Sequence, residues 1–140
     1  MRVVLDTNIV VSALVWGGVP YRLLLLAQAG EIDLVTSPTL IAELADVLDR
    51  THLAPSIAVL DISATALVAQ YQSFTHSVSP QSVPAVIADD PDDDHVLACA
   101  VTGRADLIVS GDKHLHSLGG RYNGIPIVKA GEAIRIIEAG

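Results

Sequence analysis

The sequence predicts an α/β fold, a three-layer α/β/α sandwich whose central sheet is mainly parallel. Two observations carry that prediction. Short apolar runs at residues 3–5, 32–36, 105–109 and 124–128 alternate with longer helical segments, the arrangement that right-handed β-α-β crossovers require. The chain is 51% hydrophobic but only 4% aromatic, so Val, Leu, Ile and Ala must fill the core, as they do in strands buried on both faces. At 140 residues the length suits one domain spanning 1–140, with a real core, and is too short for two ordinary ones.

The elements follow in order. Val3-Val4-Leu5 forms a strand that ends abruptly on Asp6-Thr7-Asn8, delivering a carboxylate to the sheet rim where open α/β sheets bind ligands. Residues 8–16 are apolar nearly all round and predict a buried helix, interrupted by Gly17-Gly18. Pro20 suits the first turn of a second helix, which runs through Leu23-Leu24-Leu25-Leu26 to Ala29 and is closed by Gly30. Residues 32–36 are a second strand, and Ser37-Pro38 opens a third helix with a capping hydroxyl and a proline where its missing donor does not matter. Residues 50–75 are again helical, punctuated at Pro55 and Asp61-Ile62-Ser63. His52 and His76 have no partner at metal-binding spacing and are expected at surface or cap positions. A short strand at 75–78 and a loop at 79–88 lead to an acidic cluster and an apolar helix through His95-Val96-Leu97-Ala98-Cys99-Ala100-Val101. A buried strand ending Ser110-Gly111-Asp112 comes next, then a short helix on which His114 and His116 should face solvent. The last strand, 124–128, should lie at a sheet edge because it contains Pro126, and an amphipathic helix over 132–138 closes the chain.

Charge and cysteine content narrow the setting. The formal net charge is −8, from 16 acids and 8 Lys plus Arg, which argues against a general nucleic-acid coat, since phosphate attraction needs a basic face. Five of the acids lie within residues 89–94, however, and bound divalent cations would reverse the local field there. The lone cysteine, Cys99, excludes an internal disulfide and reads as a buried small hydrophobe. No segment reaches membrane-span length and the N-terminus lacks a signal-peptide pattern, so a cytoplasmic protein is expected.

Four acidic positions are candidates for a site. Asp6 and Asp112 each follow an apolar strand. Glu43 shares the side of its helix with Leu40, Leu44 and Val47, at the margin of the apolar stripe, where an ionised carboxylate is costly without a positive partner. The acidic cluster occupies a helix N-terminus, where each carboxylate gains about 0.3 to 1 kcal/mol from the macrodipole. Five exceed what capping needs, because two carboxylates about 4 Å apart repel by about 4 kcal/mol at an effective dielectric near 20. A cation would offset this. Helical phase puts Asp93 on the face of Val96, Leu97 and Ala100 and turns Asp94 toward the flank, so Asp93 is the first choice and Asp94 the second; Asp90 could join either or cap the helix. All-oxygen ligands favour Mg²⁺ or Mn²⁺ over zinc, and such an ion with open water positions is the equipment of phosphodiester hydrolysis.

Val3-Val4-Leu5-Asp6-Thr7-Asn8, Glu43 within its helix, Asp90-Pro91-Asp92-Asp93-Asp94 before an apolar helix and Leu107-Ile108-Val109-Ser110-Gly111-Asp112 resemble, in order and over nearly the whole chain, the PIN-domain ribonucleases. The likeness is closest to the toxin components of toxin–antitoxin pairs, of the VapC kind. The resemblance implies a PIN-like fold and a Mg²⁺- or Mn²⁺-dependent endoribonuclease whose acidic quartet maps onto Asp6, Glu43, Asp93 and Asp112. It also implies a polar helper at Asn8 or Thr7, a hydroxyl at Ser110, a homodimer and a cognate antitoxin. Arg22, Arg50, Arg104, Lys113 and Arg121 are the bases available for RNA phosphates. Two alternatives are a non-catalytic PIN-fold binding module and a phosphotransfer or phosphatase domain with an acidic metal site. The haloacid-dehalogenase-like version of the latter lacks its usual second acid, because Asn8 stands two residues after Asp6.

Overall fold

The structure is a computed structural model that describes residues 1–83 and 91–140, and the side chains of all of these except 91 and 92. The expected loop therefore lies outside the described residues from position 84 onward, as does Asp90. In chain order the elements are β1 (Arg2–Leu5), α1 (Thr7–Val15), α2 (Gly18–Gln28), β2 (Asp33–Thr36), α3 (Pro38–Leu48), a 3-10 turn (Thr51–Leu53), α4 (Ala54–Val59) and α5 (Ala64–Gln72). They continue with β3 (Thr75–Ser77), α6 (Pro91–Thr102), β4 (Leu107–Val109), α7 (Lys113–His116), β5 (Arg121–Tyr122), β6 (Ile125–Val128) and α8 (Ala130–Ala139).

Period-two alternation in the short strands decides the layering. Val3 and Leu5 of β1, Leu34 of β2, Leu107 and Val109 of β4 and Val128 of β6 turn to one face, where α1, α2, α3, α5 and α8 pack. Val4, Val35, Ile108 and Ile127 turn to the other, against Val96, Leu97, Cys99 and Ala100 of α6 and Leu115 of α7. These apolar positions on both faces of the sheet give the three-layer sandwich. Full burial of a residue such as Leu97, with no exposed surface, contributes about 1.5 to 3 kcal/mol. Local signals set the helix starts: Ser37 caps α3 by accepting from the Leu40 amide at 3.2 Å, and Ser63 caps α5 through Ala66 at 3.1 Å. Gly17 and Gly18, at φ 78° and 71°, take left-handed conformations that favour glycine and turn α2 93° away from α1.

The six strands lie in the order β3-β2-β1-β4-β6-β5, all parallel except β5, which pairs antiparallel with β6. The order reverses at β1. The chain steps outward through β2 and β3, then returns to the opposite side of β1 as β4, so the segments leaving β1 and β4 diverge above the sheet and open a crevice.

One expectation about the sheet is corrected. β6 is not an edge strand, because the two-residue β5 covers its outer side. Pro126 is tolerated there because the β4 ladder begins at Ile108 and Ile127, and the donor toward the other side is Ile127, whose amide reaches Gly120 O at 2.8 Å. The second helix starts at Gly18, with Pro20 in its first turn as expected. His52 and His76 are exposed, and Cys99 is fully buried, as expected. Among the described residues no single helix is long and apolar enough to cross a membrane.

Candidate metal centre

The crevice is built outward from Asp6. Its position directly after β1 makes it the N-cap of α1: Oδ1 accepts from the Ile9 amide at 2.9 Å, while the Asp6 amide donates to Val109 O at 3.0 Å and continues the pairing with β4. Oδ2 accepts from the hydroxyl of Ser110. Only 4% of Asp6 is exposed, and this burial raises its carboxyl above the ordinary 3.8. The Ser110 and Ile9 hydrogen bonds oppose the rise, the charge of Asp112 adds to it and His116 counters it.

Ser110 follows β4 and is fully buried. Its hydroxyl accepts from the Asp112 amide at 2.9 Å while donating to Asp6, so one side chain spaces two of the acids. Asp112 caps the short α7 by accepting from the His114 amide at 2.6 Å. His116 Nε2 lies 2.6 Å from Ser110 O; a carbonyl only accepts, so Nε2 donates, and this bond holds the Ser110 backbone from behind.

Glu43 enters from α3 one turn before Val47, and Asp93 from the first turn of α6. Together with Asp6, Thr7, Asn8, Arg50, Val96 and Asp112 they line a cavity of about 190 Å³. The structure therefore brings Asp6, Glu43, Asp93 and Asp112 to one cleft, with Asn8 at its rim and Ser110 behind it. Asp93 and Asp94 are both buried, at 7% and 6% exposed, but only Asp93 is among the cleft-lining residues. Of the five bases named for phosphate contact, Arg50 lines the cleft, whereas Arg22 pairs with Glu138 at 2.7 Å on the surface.

The expectation that His114 and His116 face solvent is overturned, since both are half-buried. A helical-wheel argument misplaces them because α7 has four residues, too few for periodicity to set a face. His114 joins Asp93 and Asp112 in a group whose ligand atoms lie within 4.8 Å of one another. Its Nδ1 is buried 3.5 Å from Asp112 Oδ1 and has no hydrogen-bond partner among the described residues. A carboxylate set with an inward-turned ring nitrogen fits a divalent cation.

A three-layer domain with acids gathered at its switch point defines a class, and sequence comparison identifies the family. Residues 2–114 match the family model described as PIN domain, and the chain belongs to that family. The fold is similar to a chain in the crystal structure of VapBC2 from Rickettsia felis bound to a DNA fragment from their promoter. That likeness has a TM-score of 0.61 at 15% identity and covers 91% of this chain and 97% of that one. No match is found among curated proteins.

Proposed function

We propose that this PIN domain is a metal-dependent endoribonuclease, the toxin of a type II toxin–antitoxin pair. It works in the cytoplasm as a homodimer and is controlled by a cognate antitoxin. The observation that carries the nuclease reading is the meeting of Asp6, Glu43, Asp93 and Asp112 in one cleft of about 190 Å³. The toxin reading draws support from the motif blocks that resemble VapC-type toxins and from the fold shared with a VapBC2 chain.

The four carboxylates would hold Mg²⁺ or Mn²⁺, which when bound supplies Lewis acidity at a phosphodiester and makes coordinated water more acidic. The chain's own groups set the geometry. Ile9 and Ser110 each occupy one oxygen of Asp6, locking its carboxylate plane so that its remaining lone pairs hold a fixed orientation. The Ser110 hydroxyl and the His114 amide hold Asp112 at a set distance from Asp6. Asn8, exposed at the rim, offers an amide to a phosphate or ribose oxygen. Arg50 brings positive charge to the cleft wall, where the other charged residues are acids.

The test is incubation of the purified, folded protein with a broad panel of RNAs and Mn²⁺. Cleavage is expected, with loss in Asp6→Asn while the fold is retained. No cleavage across the panel, together with no cation binding by calorimetry, overturns the reading.

A further inference from the structure

We propose that His114 is a direct ligand of the cation, through Nδ1, and that this nitrogen biases the centre toward Mn²⁺ over Mg²⁺. The inference rests on the metal-dependent reading of the same cleft and adds a ligand that an all-carboxylate description of it lacks.

Three observations converge. Although 34% of the His114 side chain is exposed, Nδ1 is turned inward and buried. It faces Asp112 Oδ1 at 3.5 Å, beyond hydrogen-bonding range for an aligned N–H and carboxylate, and that oxygen already accepts the His114 amide at 2.6 Å. The same ring lies with Asp93 and Asp112 in a group whose ligand atoms fall within 4.8 Å. Adjacent ligands on an octahedral ion with bonds of about 2.1 Å stand about 3 Å apart, so the 3.5 Å separation of Nδ1 from Oδ1 is close to what a shared ion needs.

The backbone explains how the ring reaches this place. Asp112 caps α7, and His114 is the second residue of that helix. The cap bond draws the His114 amide onto Asp112, bringing the imidazole back over the carboxylate. His116 is held elsewhere, on Ser110 O, so the two histidines have separate tasks. Imidazole is a poorer ligand than carboxylate or water for Mg²⁺ and a better one for transition metals, and Mn²⁺ is the member of that series that also suits a mostly carboxylate set.

The experiment uses the whole protein with Mn²⁺ alone and with Mg²⁺ alone. Pulsed electron paramagnetic resonance of bound Mn²⁺ should show coupling to a coordinated imidazole nitrogen in the wild type. That coupling should vanish in His114→Ala and His114→Gln, both checked for native circular dichroism. Mn²⁺ affinity should fall about tenfold or more in these variants, with a smaller fall for Mg²⁺. Bound Mn²⁺ without nitrogen coupling, or coupling that survives in both variants, overturns the inference and leaves the metal-dependent reading standing. Failure of the wild type to bind Mn²⁺ at all overturns both.

Discussion

The hydroxyl of Ser110 donates to Oδ2 of Asp6, tying the end of β4 to the end of β1 across 104 residues of sequence. Ser110 Oγ in turn accepts from the Asp112 amide. Ser110→Ala removes both bonds at a fully buried position and leaves a carboxylate oxygen and an amide short of partners, so it should destabilise the fold by about 1 to 3 kcal/mol. Urea denaturation of the metal-free protein checks this. A loss under half a kcal/mol, about the effect of a surface change, would contradict it.

Asp6 makes the metal-free protein pH-sensitive. Burial raises its carboxyl above 3.8, so the folded chain keeps this proton to higher pH than the unfolded chain. The stabilising contribution is complete below 3.8 and is lost as pH climbs through the folded value. Asp6→Asn keeps an oxygen for the Ile9 amide and removes the titration. The stability difference, wild type minus variant, should therefore decline as pH rises from about 4, measured by denaturation in chelator. A difference that grows with pH would show the opposite sign.

Cys99 should be inert until the chain opens. It is fully buried, and burial pushes its thiol up to about 12, so almost no thiolate exists at neutral pH. Labelling with an aromatic disulfide should be negligible in the native protein, complete in urea, and slowed further by any change that stabilises the fold. Rapid labelling of the native protein would show that α6 does not shield it.

Gly103 follows α6 where the helix presses on β2. A Cβ added there would meet Val35 Cγ1 at 2.6 Å and Cys99 O at 3.0 Å, so Gly103→Ala should cost about 1 to 3 kcal/mol through overpacking. Because the nearer obstacle is a side chain, Val35→Ala in the same chain should return part of that loss. A double-mutant cycle by thermal denaturation reads the coupling, and strict additivity would refute the steric account.

The layering is legible because β1 and β4 are short, apolar apart from the exposed Arg2, and followed within three residues by an acid. A buried parallel strand permits little else, and the carboxyl ends of such strands are where a crevice opens. Asp93 could be singled out from its neighbours because α6 is long enough for phase to hold, and the cleft does contain Asp93 rather than Asp94. Glu43 was found the same way, at the edge of a stripe. Where elements are short, that reasoning loses its grip. β5 is two residues long and has no pattern of its own; it exists because β6 offers it an edge. The orientation of His114 comes from a capping bond to Asp112 rather than from helical period. Pro126 misled because its meaning depends on which neighbour needs its missing amide, and the ladder register decides that.

The reversal of strand order at β1 has a consequence for synthesis. Asp6 and Glu43 belong to the first arm of the sheet, and Asp93 and Asp112 to the return arm, so neither half of the gene encodes the four-acid cleft alone. A nascent chain gathers the four acids only when β4 slots in beside β1. Two fragments divided after α5 should each lack the four-acid cleft, and mixing them should restore it to the extent that this one strand pairing re-forms.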